Sequence, residues 1–198
     1  MRASEIMSQS VVTVHTDTPI REAARLLTDH GFTSLPVLDD DDRIVGIVSE
    51  VDLIRDRMPH DPRSHLRPEP HEQPDPARLV REVMTDTVNC MSANSDSADL
   101  AALMLDNNIR AIPIVDGARL VGIVSRRDLL RTLLRDDDVI KSEVSIRLDE
   151  YAGEPDRWKV GVDDGVVTIR GHFDEDQQAI VEVLARTVPG VVRVHCHR

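Results

Sequence analysis

Ser49 and Asp52 close the stretch Gly46-Ile47-Val48-Ser49-Glu50-Val51-Asp52-Leu53, and their spacing returns at Ser125 and Asp128 in Gly122-Ile123-Val124-Ser125-Arg126-Arg127-Asp128-Leu129. In each copy a β-branched run ends at a serine, and an aspartate follows three residues later. The pattern predicts a strand running into the first turn of a helix. Two chemistries use these atoms. Ser-x-x-Asp is close to a capping box, in which hydroxyl and carboxylate satisfy backbone groups of the helix start, for about 1 kcal/mol. The same serine at a helix N-terminus could instead donate to a phosphate, and the aspartate could accept both hydroxyls of a ribose. The second arrangement would be a nucleotide cradle.

The elements around the two motifs are duplicated as well. A shift of 77 overlays Ile6-Met7-Ser8 on Val83-Met84-Thr85, Leu26-Leu27 on Leu103-Met104, and Leu35-Pro36-Val37 on Ile112-Pro113-Ile114. Beyond the second strand the shift falls to 76, because Asp39 to Arg43 is one residue longer than Asp116 to Arg119. Each copy reads β-α-β-β-α. A short strand (Val11 to Val14, Val88 to Met91) precedes a helix with apolar positions Ile20, Ala23, Ala24, Leu27 or Leu100, Leu103, Met104. Gly31 and Asn108 stand where a helix stop needs positive φ. Strands Ser34 to Leu38 and Ile44 to Ser49 follow, joined by an acidic turn that lacks the ligand spacing of a calcium loop. Pro36 and Pro113 remove a ladder donor, which predicts a sheet edge or opening at those points.

With these three motifs in order, twice, residues 1–135 resemble the cystathionine-β-synthase (CBS) domain family, whose tandem pairs form Bateman modules. The resemblance implies an α/β (α+β) fold, with repeats 1–58 and 79–135 around a pseudo-twofold axis. It also implies two clefts that take adenosine-containing ligands such as AMP, ATP, NAD or S-adenosylmethionine. Carried onto this chain, one cleft would combine Ser125, Asp128, Arg110 and Ala111 with Val12, Phe32 and Thr33. The other would combine Ser49, Asp52, Thr33 and Ser34 with Asn89 and Ile109. Arg110, Arg126 and Arg127 occupy places where the first copy has Thr33, Glu50 and Val51. The expectation is therefore a phosphorylated ligand at Asp128 and a weaker, empty or adenosine-like cleft at Asp52. The family usually dimerises through apolar helix faces, so a homodimer is expected.

Between the copies, Pro59, Pro62, Pro68, Pro70, Pro74 and Pro76 exclude a helix or central strand and mark residues 59–78 as an extended linker. His60, His65 and His71 lie in it without the convergence that a metal site needs. After Arg135, Asp138 is expected to cap a helix reaching about Tyr151. Strands Trp158 to Val162 and Val166 to Gly171 are joined at Asp163-Asp164-Gly165, a hairpin signal. A helix over Asp174 to Val188 carries Ala179, Ile180, Val183, Leu184 and Val188 on one stripe, and Val191 to Val194 is a closing strand. Residues 136–198, with Val-x-Val-x-Asp-Gly-Val-Val-Thr-Ile-x-Gly and Val-Pro-Gly-Val-x-x-Val, resemble the BON domain, a small α/β unit. That family is associated with envelope or phospholipid contact.

Composition narrows the function further. Aromatic residues are 2% and net charge is −12, so stacking platforms are scarce and a nucleic-acid backbone is repelled. No apolar leader or bilayer-length run is present, and Cys90 and Cys196 fall in different units, which points to a reduced cytoplasmic protein. No nucleophile–base–orienter set and no metal spacing can be assembled, so no catalytic residue, no metal ligand and no obligatory cofactor are assigned. The expectation is a non-catalytic sensor of an adenosine-type small molecule, with the BON domain as output or docking module. The alternative is an envelope- or membrane-associated adaptor that acts through BON contact with protein or lipid, the CBS pair serving as a dimerisation scaffold.

Overall fold

The structure, a computed structural model, describes residues 1–55, Arg57 and residues 77–197. The proline-rich linker and its histidines, through residue 76, lie outside the described residues. Two compact units emerge, one gathering residues 7–93 and 103–124, the other residues 1–6, 94–102 and everything from Ser125 onwards.

In the first unit, β1 (Val14–His15), β2 (Ser34–Leu38) and β3 (Ile44–Ser49) form a three-stranded sheet in that order, and α1 (Ile20–His30) connects β1 to β2. Helix α2 (Glu50–Ile54) follows β3 directly. Ile20, Ala23 and Leu27 of α1 are buried with Val14, Leu35, Val37, Val48, Leu53 and Val80 in one apolar core. The second copy builds its own sheet from β4 (Met91–Ser92), β5 (Ala111–Asp116) and β6 (Arg119–Ser125), with α3 (Ser97–Asp106) before β5 and α4 (Arg126–Thr132) after β6. Gly31 at φ 64° and Asn108 at φ 52° provide the left-handed helix stops, residue types that tolerate that region.

The first strand of each copy starts later than the sequence suggests. β1 spans only Val14–His15 and pairs in parallel from Val14↔Val37, and β4 pairs from Met91↔Ile114. Pairing begins one residue past Pro36 and Pro113, which have no N–H to give. The prolines are also not at an edge. Pro36 is buried in the central strand opposite Ile47, and the missing donor shortens the parallel partner instead of ending the sheet.

The copies exchange their ends within this unit. Ile47 and Thr85 trade both backbone hydrogen bonds at 2.9 Å, and Ser8 and Ile123 do the same at 2.9 and 3.0 Å. Gly46 and Gly122 face these junctions. A Cβ at Gly46 would stand 2.7 Å from Met84 Sδ, and one at Gly122 would stand 2.5 Å from Met7 Sδ. The Met-Ser/Thr opening of each copy is thus seated on the Gly-Ile-Val strand of the other.

The C-terminal part of the second unit is a two-layer fold. Its sheet runs β7 (Lys159–Asp163), β8 (Val166–Arg170), β9 (Arg193–His197), antiparallel and then parallel, and it is joined by α5 (Asp137–Ala152) and α6 (Glu175–Arg186). Ile140, Val144, Leu148, Trp158, Val167, Ile169, Phe173, Val181, Ala185, Val188 and Val194 fill its core. The cap of α5 falls two residues before the expected one. Asp136 holds the cap position, and Asp137 accepts from Asp164 N–H at 2.8 Å and Gly165 N–H at 3.0 Å. Those two residues, at φ 48° and 72°, form the hairpin turn, so the aspartate braces it.

On α6 the buried face is Val181, Ala185 and the following Val188, whereas Ile180 and Val183 of the expected stripe are 41% and 62% exposed. Apolar residues cover more than half the helix circumference, so periodicity alone does not choose the face. β9 lies two to three residues later than expected, because Val192 N–H is bonded to Gly165 O at 2.9 Å in the turn that precedes it. No described helix is long and apolar enough to cross a membrane.

Candidate functional site

Each motif folds as a capping box, and the two differ in what remains available. Ser49 donates to Asp52 Oδ2 through its N–H at 2.9 Å and its Oγ–H at 2.6 Å. Both bonds fall on one oxygen, and among the described residues no donor engages Oδ1. In the second copy Ser125 makes the same pair of bonds to Asp128 Oδ2 at 2.8 and 2.6 Å, and Arg131 donates to Oδ1 at 3.0 Å. Asp128 is 8% exposed and has both oxygens engaged.

A cavity of about 340 Å³ opens at the first motif, lined by residues of both copies. Ser49, Asp52, Thr33, Ser34, Asn89 and Ile109 all line it, joined by Ile47, Glu50, Val51, Thr85, Thr87, Val88, Asn108, Arg110 and Ala111. Its size suits one small ligand. The exchanged bonds between Ile47 and Thr85 bring the second copy's opening segment against the first copy's closing strand. The threonines therefore reach this cavity, and the Met-Ser/Thr motif was the signal that could have named them. Ser34 Oγ is buried and has no hydrogen-bond partner among the described residues, an unusual state for a native hydroxyl.

The residues assigned to the Asp128 cleft divide. Arg110 and Ala111, expected beside Asp128, line the Asp52 cavity together with Thr33. Arg110 Nη1 is drawn there by Glu50, donating to its Oε2 at 3.3 Å. Val12 is half-buried, and Phe32 is 37% exposed and stacked on His30 at 5.1 Å. Neither is part of the cavity lining. Arg110 thus lies in the lining of the Asp52 cavity.

Among the described residues no group of three or more His, Cys, Asp or Glu is placed to hold a metal. The Asp39 carboxylate accepts from Asp41 and Arg43 N–H, each at 2.9 Å, so it organises its own turn. Burial raises the thiol pKa of Cys90 and Cys196, and Glu182 raises that of Cys196 further, which keeps both as poor nucleophiles near neutral pH.

Known proteins match the chain over both parts. The CBS domain family model matches residues 3–58 and 80–135, and the BON domain model matches residues 136–197. Inosine-5'-monophosphate dehydrogenase of Methanocaldococcus jannaschii is 29% identical over 66% of this chain, but the match spans only 23% of that enzyme. Hypoxic response protein 1 of Mycobacterium tuberculosis is 27% identical over 66% of this chain and 84% of its own length. Among solved structures, the CBS domain pair of protein MJ0100, in complex with 5'-methylthioadenosine and S-adenosyl-L-methionine, superposes with a TM-score of 0.54. It is 26% identical and covers 66% of this chain and 94% of its own. The AMP complex of CBSX2, at 24% identity and a TM-score of 0.55 over 67% of this chain and 96% of its own, shares the fold. The chain belongs to the CBS-domain family, as a tandem CBS pair followed by a BON domain.

Proposed function

We propose that the chain is a non-catalytic regulatory protein that binds an adenosine-type small molecule in the Asp52 cavity and passes the occupancy on through its BON domain. The observation that carries this reading is the cavity itself. One carboxylate oxygen, Asp52 Oδ1, is available to a ribose diol, the unpartnered Ser34 hydroxyl lies in the wall, and Ile47, Val51, Val88 and Ile109 supply apolar surface for a purine. Such a ligand acts by preferring one state of the module, and a coupling of about 1–3 kcal/mol is enough for regulation. Exposed apolar side chains on the motif helices, Val51 and Ile54 on α2 and Leu130 on α4, support self-association into a homodimer.

Mass spectrometry of small molecules released from the purified chain, followed by thermal unfolding with each adenosine compound, tests the reading. A ligand present at a hundred times its Kd should stabilise the native state by about 2.7 kcal/mol and raise Tm by several degrees. A flat response to adenosine, AMP, ATP, NAD and S-adenosylmethionine alike rejects it.

A second reading, docking of the BON domain on an anionic surface, draws support from charge placement. The register puts Lys159, Arg170 and His197 in one row across the sheet and His195 and Arg193 in the next two, all exposed. The opposite face packs into the core through Val160, Val167, Ile169 and Val194. An acidic chain thus places three cations and two histidines on one sheet face, with Asp163 in the row of Arg193, where they would meet an anionic partner directly even though the net charge repels it at long range. Sedimentation with phosphatidylglycerol vesicles at low salt should retain the chain. The triple change Lys159→Glu, Arg170→Glu, Arg193→Glu should release it.

A further inference from the structure

We infer that the Asp52 cavity selects an adenosine-type ligand without a phosphate, neutral or cationic at its 5′ substituent, and that Glu50 sets this selectivity. The inference rests on the ligand class proposed above and adds the charge of the group the cavity takes. Three features of this site would favour a phosphate's charge, and in the structure each is short or already engaged, while the Ser34 hydroxyl is a neutral donor open to any ligand oxygen. Helix α2 has five residues, Glu50–Ile54, too few aligned peptides for a strong positive end. The Ser49 hydroxyl proton is already given to Asp52 Oδ2 at 2.6 Å. Arg110 is held by Glu50 at 3.3 Å.

The charges that remain oppose a phosphate as well. Among the described residues Glu50, Asp52 and Arg110 are the ionisable side chains of the lining, two acids against one base. A phosphate monoester brings nearly two further negative charges at neutral pH. A phosphate that reaches Arg110 shares the guanidinium with Glu50 and comes to lie beside that carboxylate. A thioether or an alcohol avoids this conflict, and a sulfonium cation gains from Glu50. The corresponding residue of the second copy is Arg126, so the two motifs carry opposite signs at the first helical position.

Calorimetric titration of the full chain with adenosine, 5'-methylthioadenosine, S-adenosylmethionine and AMP tests this. The three ligands without phosphate should bind at least about tenfold tighter than AMP at low salt, and the gap should narrow at high salt. Glu50→Gln should raise AMP affinity about tenfold relative to that of 5'-methylthioadenosine, because it removes the competing anion and keeps the side-chain shape. Glu50 lines this cavity, so the readout is the ratio of the two affinities, which a general change of the site leaves unaltered. AMP binding as tightly as 5'-methylthioadenosine to the wild-type chain, or an unaltered ratio in Glu50→Gln, overturns the selectivity and leaves the ligand class standing. Failure of all four compounds to bind overturns both.

Discussion

Asp52→Ala is expected to erase the ligand-induced rise in Tm and to weaken binding of any adenosine-type ligand about a hundredfold, while costing the fold only about 1 kcal/mol. The two numbers come from different jobs of one carboxylate. Toward the protein, Asp52 accepts from Ser49 N–H and Oγ–H, a cap at the start of a five-residue helix, and losing a cap costs about 1 kcal/mol. Toward a ligand, it would hold the ribose diol through charge-assisted hydrogen bonds, each worth about 1.5–3 kcal/mol. A net loss of about 2.7 kcal/mol is a factor of about a hundred in Kd. Asp52→Asn keeps the shape and removes the charge, so it should fall between wild type and alanine. Asp128→Ala should behave differently. Asp128 is nearly buried and holds two Ser125 donors and Arg131, so its loss should lower stability more than Asp52→Ala does and spare ligand binding at the Asp52 cavity. Thermal unfolding of all three variants with and without 5'-methylthioadenosine gives the comparison. An undiminished ligand shift in a folded Asp52→Ala protein rules the diol role out.

What could be read from the residues beforehand, and what could not, follows the range of the interactions. Strands Ser34–Leu38 and Ile44–Ser49 were legible in full, because alternation, β-branching and the acidic turn are local signals. The left-handed stops at Gly31 and Asn108 were legible for the same reason. The six residues that the CBS resemblance implied for the Asp52 cleft, Ser49, Asp52, Thr33, Ser34, Asn89 and Ile109, line one cavity, a long-range grouping that came from the family and from no local signal in this chain. That Arg110 lines the Asp52 cavity and pairs with Glu50, sixty residues away, was not legible, because nothing local advertises that pairing. The late start of β1 and β4 was hidden in the partner strand, where Pro36 and Pro113 withhold a donor. On α6, apolar residues at 179–181 and 183–185 allow two faces, and only packing against the sheet selects Val181 and Ala185 over Ile180 and Val183.

The exchange of ends between the copies makes a sharper prediction about stability. Gly46→Val and Gly122→Val are each expected to destabilise the CBS pair by about 2–3 kcal/mol, the range of an overpacked core site, read as a lower midpoint in urea at unchanged slope. At Gly46 the new Cβ would meet Met84 Sδ at 2.7 Å and Thr85 O at 3.1 Å, and at Gly122 it would meet Met7 Sδ at 2.5 Å and Ser8 O at 3.2 Å. A methionine can swing away. The carbonyls cannot, because Thr85 O and Ser8 O accept from Ile47 and Ile123 in the paired bonds that join the copies. Shortening the methionine should therefore recover only part of the loss. In a double-mutant cycle, Met84→Ala should offset Gly46→Val, and Met7→Ala should offset Gly122→Val, each by about 1 kcal/mol. The crossed pairs, Met7→Ala with Gly46→Val and Met84→Ala with Gly122→Val, should add without coupling. Only Gly46→Val should also weaken ligand binding, since Thr85 lines the Asp52 cavity. Equal coupling in matched and crossed pairs would show that the glycines are not seats for the opposing methionines.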